Sequence, residues 1–134
     1  MATILTIDDE ETIRNLFKCA LSNSYTFIEA SDGLEGLHMF ESYNPDLIIT
    51  DLSMPIMTGI ELVKKVRASN TKVWIIAISA SFHNPEEKIR MFNVGADICL
   101  TKPVAVTFLT QVVAHLLSLR RTDSQNDASR SVKL

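Results

Sequence analysis

The sequence predicts an α/β fold, a single doubly wound (βα)5 domain built around a parallel five-stranded sheet. Short apolar runs alternate with amphipathic stretches of helical spacing, which is the rhythm of repeated β-α units. The central run, Leu47 to Thr50, shows no alternation of apolar and polar residues, as expected of a parallel strand covered on both faces. Stop signals fall between the runs, at Asn44-Pro45 and at Gly95.

The first strand is expected from Thr3 to Ile7. It is followed by a helix with Ile13, Leu16, Phe17, Ala20 and Leu21 on one face and Glu11, Arg14 and Lys18 on the other. A second strand, Tyr25 to Ala30, leads through Ser31-Asp32-Gly33 into a helix with Leu34, Leu37 and Phe40 inward. The third strand ends at Asp51. After the loop LSMPIMTG comes a helix with Ile60, Val63 and Val66 inward, then a fourth strand from Lys72 to Ile78 that Ser79 closes. Pro85 suits the first turn of the fourth helix, where its missing N–H costs little, and Gly95 suits that helix's C-terminal stop. Ile98 to Leu100 form a short fifth strand that Lys102-Pro103 terminates. The last helix turns Phe108, Leu109, Val112, Val113, Leu116 and Leu117 to the core. The pattern stops beyond Leu119, so the domain is expected over residues 1–119, with a polar tail or linker stub over 120–134.

Composition narrows the function classes. At 134 residues and 46% hydrophobic, the chain is long enough to bury a core without disulfides or structural metal. No apolar run approaches the length needed to cross a bilayer, and the start MATILTIDDE carries no basic leader ahead of an apolar stretch. The expectation is a cytoplasmic protein without a membrane segment. A formal net charge of −3 lacks the basic footprint of a nucleic-acid binder, so direct nucleic-acid contact is not expected. Cys19 and Cys99 lie far apart without a CxxC spacing, and both are expected to be reduced and buried. His38, His83 and His115 are scattered and read as ordinary helix or loop residues.

The chemistry gathers at strand ends. Asp8 and Asp9 follow the first strand and Asp51 ends the third. In a sheet of flavodoxin-like order 2-1-3-4-5, ligands bind between strands one and three, at the point where the order reverses. Three acids in one crevice repel unless they share a cation, and an all-oxygen ligand set favours a hard ion such as Mg²⁺ or Mn²⁺. The fourth and fifth strands bring Ser79, a hydroxyl donor, and Lys102, a positive charge, to the same rim. A carboxylate can act as nucleophile toward phosphorus once the charge on the transferring oxygens is neutralised. Taken singly these residues have plainer readings. Asp8-Asp9 can favour a helix N-terminus, Asp51 can form a turn, Ser79 can be a cap and Lys102 can be solvated surface. Their combination carries the chemical reading.

The motifs IDDE up to Glu10, PDLIITDLSMPIMTG from Pro45 to Gly59, ISA from Ile78 to Ala80 and GADICLTKP from Gly95 to Pro103 stand in one order and spacing. With these motifs the chain resembles the receiver domain of two-component response regulators, of the stand-alone chemotaxis type, from about Thr3 to Leu119. The resemblance implies Asp51 as phosphoacceptor, with Asp8, Asp9, Asp51 and the backbone carbonyl of Ser53 around Mg²⁺. It implies that Ser79 hydrogen-bonds the phosphoryl group, that Lys102 pairs with it, that Lys102-Pro103 is cis, and that Pro55 and Gly59 shape the loop after the acceptor. A histidine kinase or phosphotransfer protein is then the donor. A downstream protein reads the fourth helix, fifth strand and fifth helix, and a homodimer on phosphorylation is compatible with the pattern. Such a domain is a signalling module rather than a turnover enzyme.

Two departures from the family pattern bear on function. Cys99 stands where the family commonly has Tyr or Phe, which puts the aromatic part of the usual switch in question. The positions two beyond Asp51 and two beyond Ser79 are Ser53 and Ser81, neither a strong water-positioning group, so slow decay of the phosphorylated form is expected. Two other readings compete: a receiver-like binding module that is not phosphorylated, and a metal-dependent phosphatase with an Asp nucleophile. The second needs an acid-base Asp two residues after the nucleophile, where this chain has Ser53.

Overall fold

The structure, a computed structural model, describes residues 1–119; the expected polar tail over 120–134 lies outside the described residues. Ten elements alternate: β1 (Thr3–Ile7), α1 (Glu11–Leu21), β2 (Thr26–Ala30), α2 (Gly33–Tyr43), β3 (Leu47–Asp51), α3 (Gly59–Ser69), β4 (Trp74–Ser79), α4 (Pro85–Val94), β5 (Ile98–Thr101) and α5 (Val106–Ser118). All strand pairs are parallel and the order is β2-β1-β3-β4-β5, as the sequence predicts.

Local chemistry explains several boundaries. Asp32 caps α2 by accepting the Glu35 N–H at 2.8 Å. Thr58 and Glu61 form a reciprocal capping box at the start of α3, an arrangement that contributes about 1 kcal/mol. Asn84 caps α4 ahead of Pro85. The fourth strand begins at Trp74 rather than Lys72, because Asn70 Oδ1 takes the N–H groups of Lys72 at 2.7 Å and Val73 at 3.0 Å. Those two residues are thereby committed to a turn instead of the ladder.

The sheet is buried on both faces. Leu5, Ile7, Ile48, Ile75 and Ala77 pack under α2, α3 and α4 with Phe40, Leu62, Val63, Val66 and Met91. Ile4, Leu47, Ile49, Ile76 and Ile78 pack under α1 and α5 with Phe17, Leu21, Leu109, Val113 and Leu116. Three residues expected inward, Leu16, Leu34 and Phe108, are exposed instead. A helix lying on a sheet buries a narrow stripe. Leu16 sits one residue, about 100°, from the buried Phe17, and Phe108 sits likewise beside Leu109. Cys19 is also exposed, contrary to expectation, because it stands two residues from Phe17 and so on the far side of α1. Cys99 is buried. Among the described residues no helix is long and apolar enough to cross a membrane.

Candidate functional site

The pairing of β1 with both β2 and β3 makes the carboxyl ends of β1 and β3 the reversal point of the sheet. Asp51 is the last residue of β3 and only 7% exposed. Its Oδ1 accepts the Leu52 N–H at 2.8 Å, while its Oδ2 lies 3.4 Å from Lys102 Nζ. Asp8, just past β1 and 3% exposed, accepts the Glu10 N–H on Oδ1 at 2.9 Å and the same lysine on Oδ2 at 3.2 Å. One ammonium therefore bridges two buried carboxylates whose positions differ by 43 residues in sequence.

Burial is the main cause that raises the Asp51 pKa; Asp8 adds to it, while Lys102 and the Leu52 amide oppose it. Burial alone would lower Lys102, yet the charges of Asp51 and Asp8 outweigh it and its pKa is raised. An under-compensated acidic crevice of this kind favours further positive charge. Asp9 is exposed, and its carboxylate can approach those of Asp8 and Glu10 to within 4.8 Å. Glu10 carried no role in the sequence reading. Asp9 and Ser53 line one hollow beside the acceptor loop, together with Thr58 and Glu87. The donors are all oxygens, which suits a hard divalent ion and not a soft one.

Ser79 ends β4 and is buried; its backbone carbonyl accepts the Lys102 N–H at 3.0 Å, which ties the ends of β4 and β5 together. The Lys102-Pro103 bond is cis, as the resemblance implied. Gly59 begins α3 against the acceptor: a Cβ there would stand 2.5 Å from the Asp51 carbonyl oxygen, so no larger residue fits without movement. Arg14, placed by sequence on the polar side of α1, reaches the Asp8 carbonyl at 2.6 Å and Glu29 at 3.1 Å, and so braces the acidic turn.

Ile56 in the acceptor loop has φ 73°, and Met57 N–H donates back to the Pro55 carbonyl at 2.8 Å, closing a γ-turn around it. A β-branched residue in this region is strained by on the order of 1–3 kcal/mol. Nothing in periodicity signals it.

The pattern of the response regulator receiver domain matches residues 4–114. The chain belongs to this family. It is 31% identical over 132 residues to response regulator MprA of Mycobacterium leprae, covering 98% of this chain and 56% of that protein. The counterpart from Mycobacterium avium is 33% identical over 127 residues, covering 93% of this chain and 54% of its own length. The chain thus spans about half the length of these curated relatives. Among solved structures, the receiver domain of Francisella response regulator 1452 superposes with TM-score 0.82 at 31% identity, over 88% of this chain and 98% of that one. Chemotaxis response regulator CheY4 of Vibrio cholerae gives 0.81 at 33% identity, over 87% and 98%.

Cys99 lies within β5. It is buried, and burial pushes its thiol up to about 12, with Lys88 opposing weakly. The thiolate is the reactive form, so at pH 8 Cys99 stays an inert thiol while exposed Cys19 reacts. Iodoacetamide at pH 8 should add one label to the native protein and two after denaturation, counted by mass. Two labels on the folded protein would show that Cys99 is accessible and its thiol unprotected.

Proposed function

We propose that residues 1–119 form a receiver domain that accepts a phosphoryl group on Asp51, donated by a histidine kinase or phosphotransfer protein in the cytoplasm. The observation that supports this best is the lysine bridge: Lys102 Nζ stands 3.2 Å from Asp8 and 3.4 Å from Asp51, so a positive charge waits where a phosphoryl group would arrive. An Asp51 carboxylate oxygen attacks phosphorus as the bond from phosphorus to the donor's imidazole nitrogen breaks. The electron pair leaves with the imidazole, and an acyl phosphate remains on Asp51. Lys102 pairs with the phosphoryl oxygens, and the Ser79 hydroxyl donates to one of them. Mg²⁺, held by Asp8, Asp9, Asp51 and the backbone carbonyl of Ser53, would supply the remaining charge neutralisation.

The product is a signal, read by a protein at the α4, β5 and α5 surface. A phosphatase reading finds no support at Ser53, which lacks an acid-base group. Incubation with acetyl phosphate and Mg²⁺ should add the mass of one phosphoryl group, and none when Mg²⁺ is chelated. An unchanged mass in the presence of Mg²⁺ would overturn the proposal.

A further inference from the structure

The Ser79 hydroxyl is already engaged. Its Oγ accepts the Ser81 N–H at 3.1 Å and lies 2.8 Å from Ser81 Oγ. Ser81 Oγ in turn donates to Glu87 Oε2, in the first turn of α4.

The direction of the protons along this chain follows from elementary counting. A hydroxyl carries one proton, and a carboxylate accepts without donating. Ser81 spends its proton on Glu87, so the proton between the two serines must come from Ser79. The order is therefore Ser79 to Ser81 to Glu87, with the carboxylate at the end strengthening the link through its charge. Ser79 cannot donate to Ser81 and to a phosphoryl oxygen at once.

We propose that Glu87 is a positioning residue for the phosphoryl-receiving site: through Ser81 it holds the Ser79 hydroxyl in a disengaged orientation. This rests on the function proposed above. In the unphosphorylated protein the link opposes phosphoryl binding; when Ser79 turns to the phosphoryl group, Ser81 loses its donor and the tie between the end of β4 and the start of α4 weakens. The site and α4 are then coupled by a hydrogen-bonded chain, a route that does not pass through the position of Cys99. The coupling is reciprocal, so weakening the α4 end must favour phosphoryl binding.

Beryllofluoride with Mg²⁺, titrated calorimetrically as a phosphoryl mimic, tests this. Glu87→Gln removes the charge and frees the direction of the Ser81 proton, and should tighten binding by about fivefold. Glu86→Gln changes the same helix turn by the same charge outside the chain of hydrogen bonds, and should leave affinity unchanged. In a Ser79→Ala background Glu87→Gln should have no effect, whereas a merely structural role of Glu87 would persist there. Ser81→Ala breaks the link at its middle without touching α4 and should also tighten binding, which serves if Glu87→Gln folds poorly. Unchanged affinity in Glu87→Gln or in Ser81→Ala, or an equal change with and without Ser79, would overturn the positioning role. Failure of the wild-type protein to bind beryllofluoride would instead overturn the proposed function.

Discussion

Asp51→Asn should take up no phosphoryl group from acetyl phosphate and Mg²⁺, under conditions where the wild-type protein gains one. The amide keeps the size of the side chain and can still accept the Leu52 N–H, which lies 2.8 Å from Asp51 Oδ1. Lys102 retains Asp8 at 3.2 Å. The fold therefore stands while the nucleophilic oxygen is gone. A second consequence separates this from damage. Burial, reinforced by Asp8, raises the Asp51 pKa above its unfolded value. As pH rises past about 4, the unfolded chain releases this proton before the native one, so ionised Asp51 costs native stability at neutral pH. Without metal, Asp51→Asn should thus be more stable than wild type at pH 7 and melt at a higher temperature. The advantage should shrink toward pH 4 and below, where both states of the wild type are protonated. Melting curves in chelator at both pH values measure this. A phosphorylated Asp51→Asn protein would place the acceptor elsewhere.

Arg67→Ala should lower stability by about 3–5 kcal/mol, the largest structural effect expected of one substitution here. Arg67 extends from α3 to Asp97, whose side chain is fully buried, with a guanidinium-carboxylate distance of 2.8 Å. It also donates to the carbonyls of Gly95 at 2.9 Å and Asn70 at 3.2 Å. Asp97 Oδ2 accepts the Ile75 N–H at 2.9 Å, so the pair joins α3, β4 and the start of β5. Truncating the arginine takes the guanidinium at 2.8 Å away from this buried carboxylate. For a domain of this size the loss corresponds to a Tm decrease of about 10–20 °C. Adding Asp97→Asn to an Arg67→Met protein should recover part of the loss, since the buried charge that lost its guanidinium is then removed. Denaturant unfolding of the wild type, the two single variants and the double variant decides it, and a loss under about 1 kcal/mol for Arg67→Ala would contradict the argument. Gly95 belongs to this arrangement. It has φ 126°, and a Cβ there would stand 2.4 Å from Arg67 Cγ, so it both ends α4 and leaves room for the arginine.

Much of the fold was legible because its signals are local. Uninterrupted apolar runs mark the covered strands, helical spacing marks α1 to α5, and Gly95 and Pro85 mark the ends of α4. Once the β-α order is known, the last residues of the strands must share one edge of a parallel sheet. That is why Asp8, Asp51, Ser79 and Lys102 could be gathered from sequence. Asp9 was legible as a neighbour of Asp8, but its grouping with Glu10 depends on side-chain directions within the turn. Leu16, Leu34 and Phe108 were misplaced because spacing gives a helix's apolar stripe and not how widely the sheet covers it; Cys19 was misplaced because its residue type was weighed without its position on α1.

By itself, then, the sequence determined the element order, the parallel sheet and which residue types reach the carboxyl edge, since each follows from periodicity and from what can end a strand or helix. Only the tertiary structure decided that one ammonium bridges Asp8 and Asp51, that Glu87 reaches Ser79 through Ser81, that Arg67 neutralises Asp97 and that Ile56 sits at positive φ. These depend on distances between residues far apart in the chain, or on the path of one loop, and hydrophobic spacing carries no information about either.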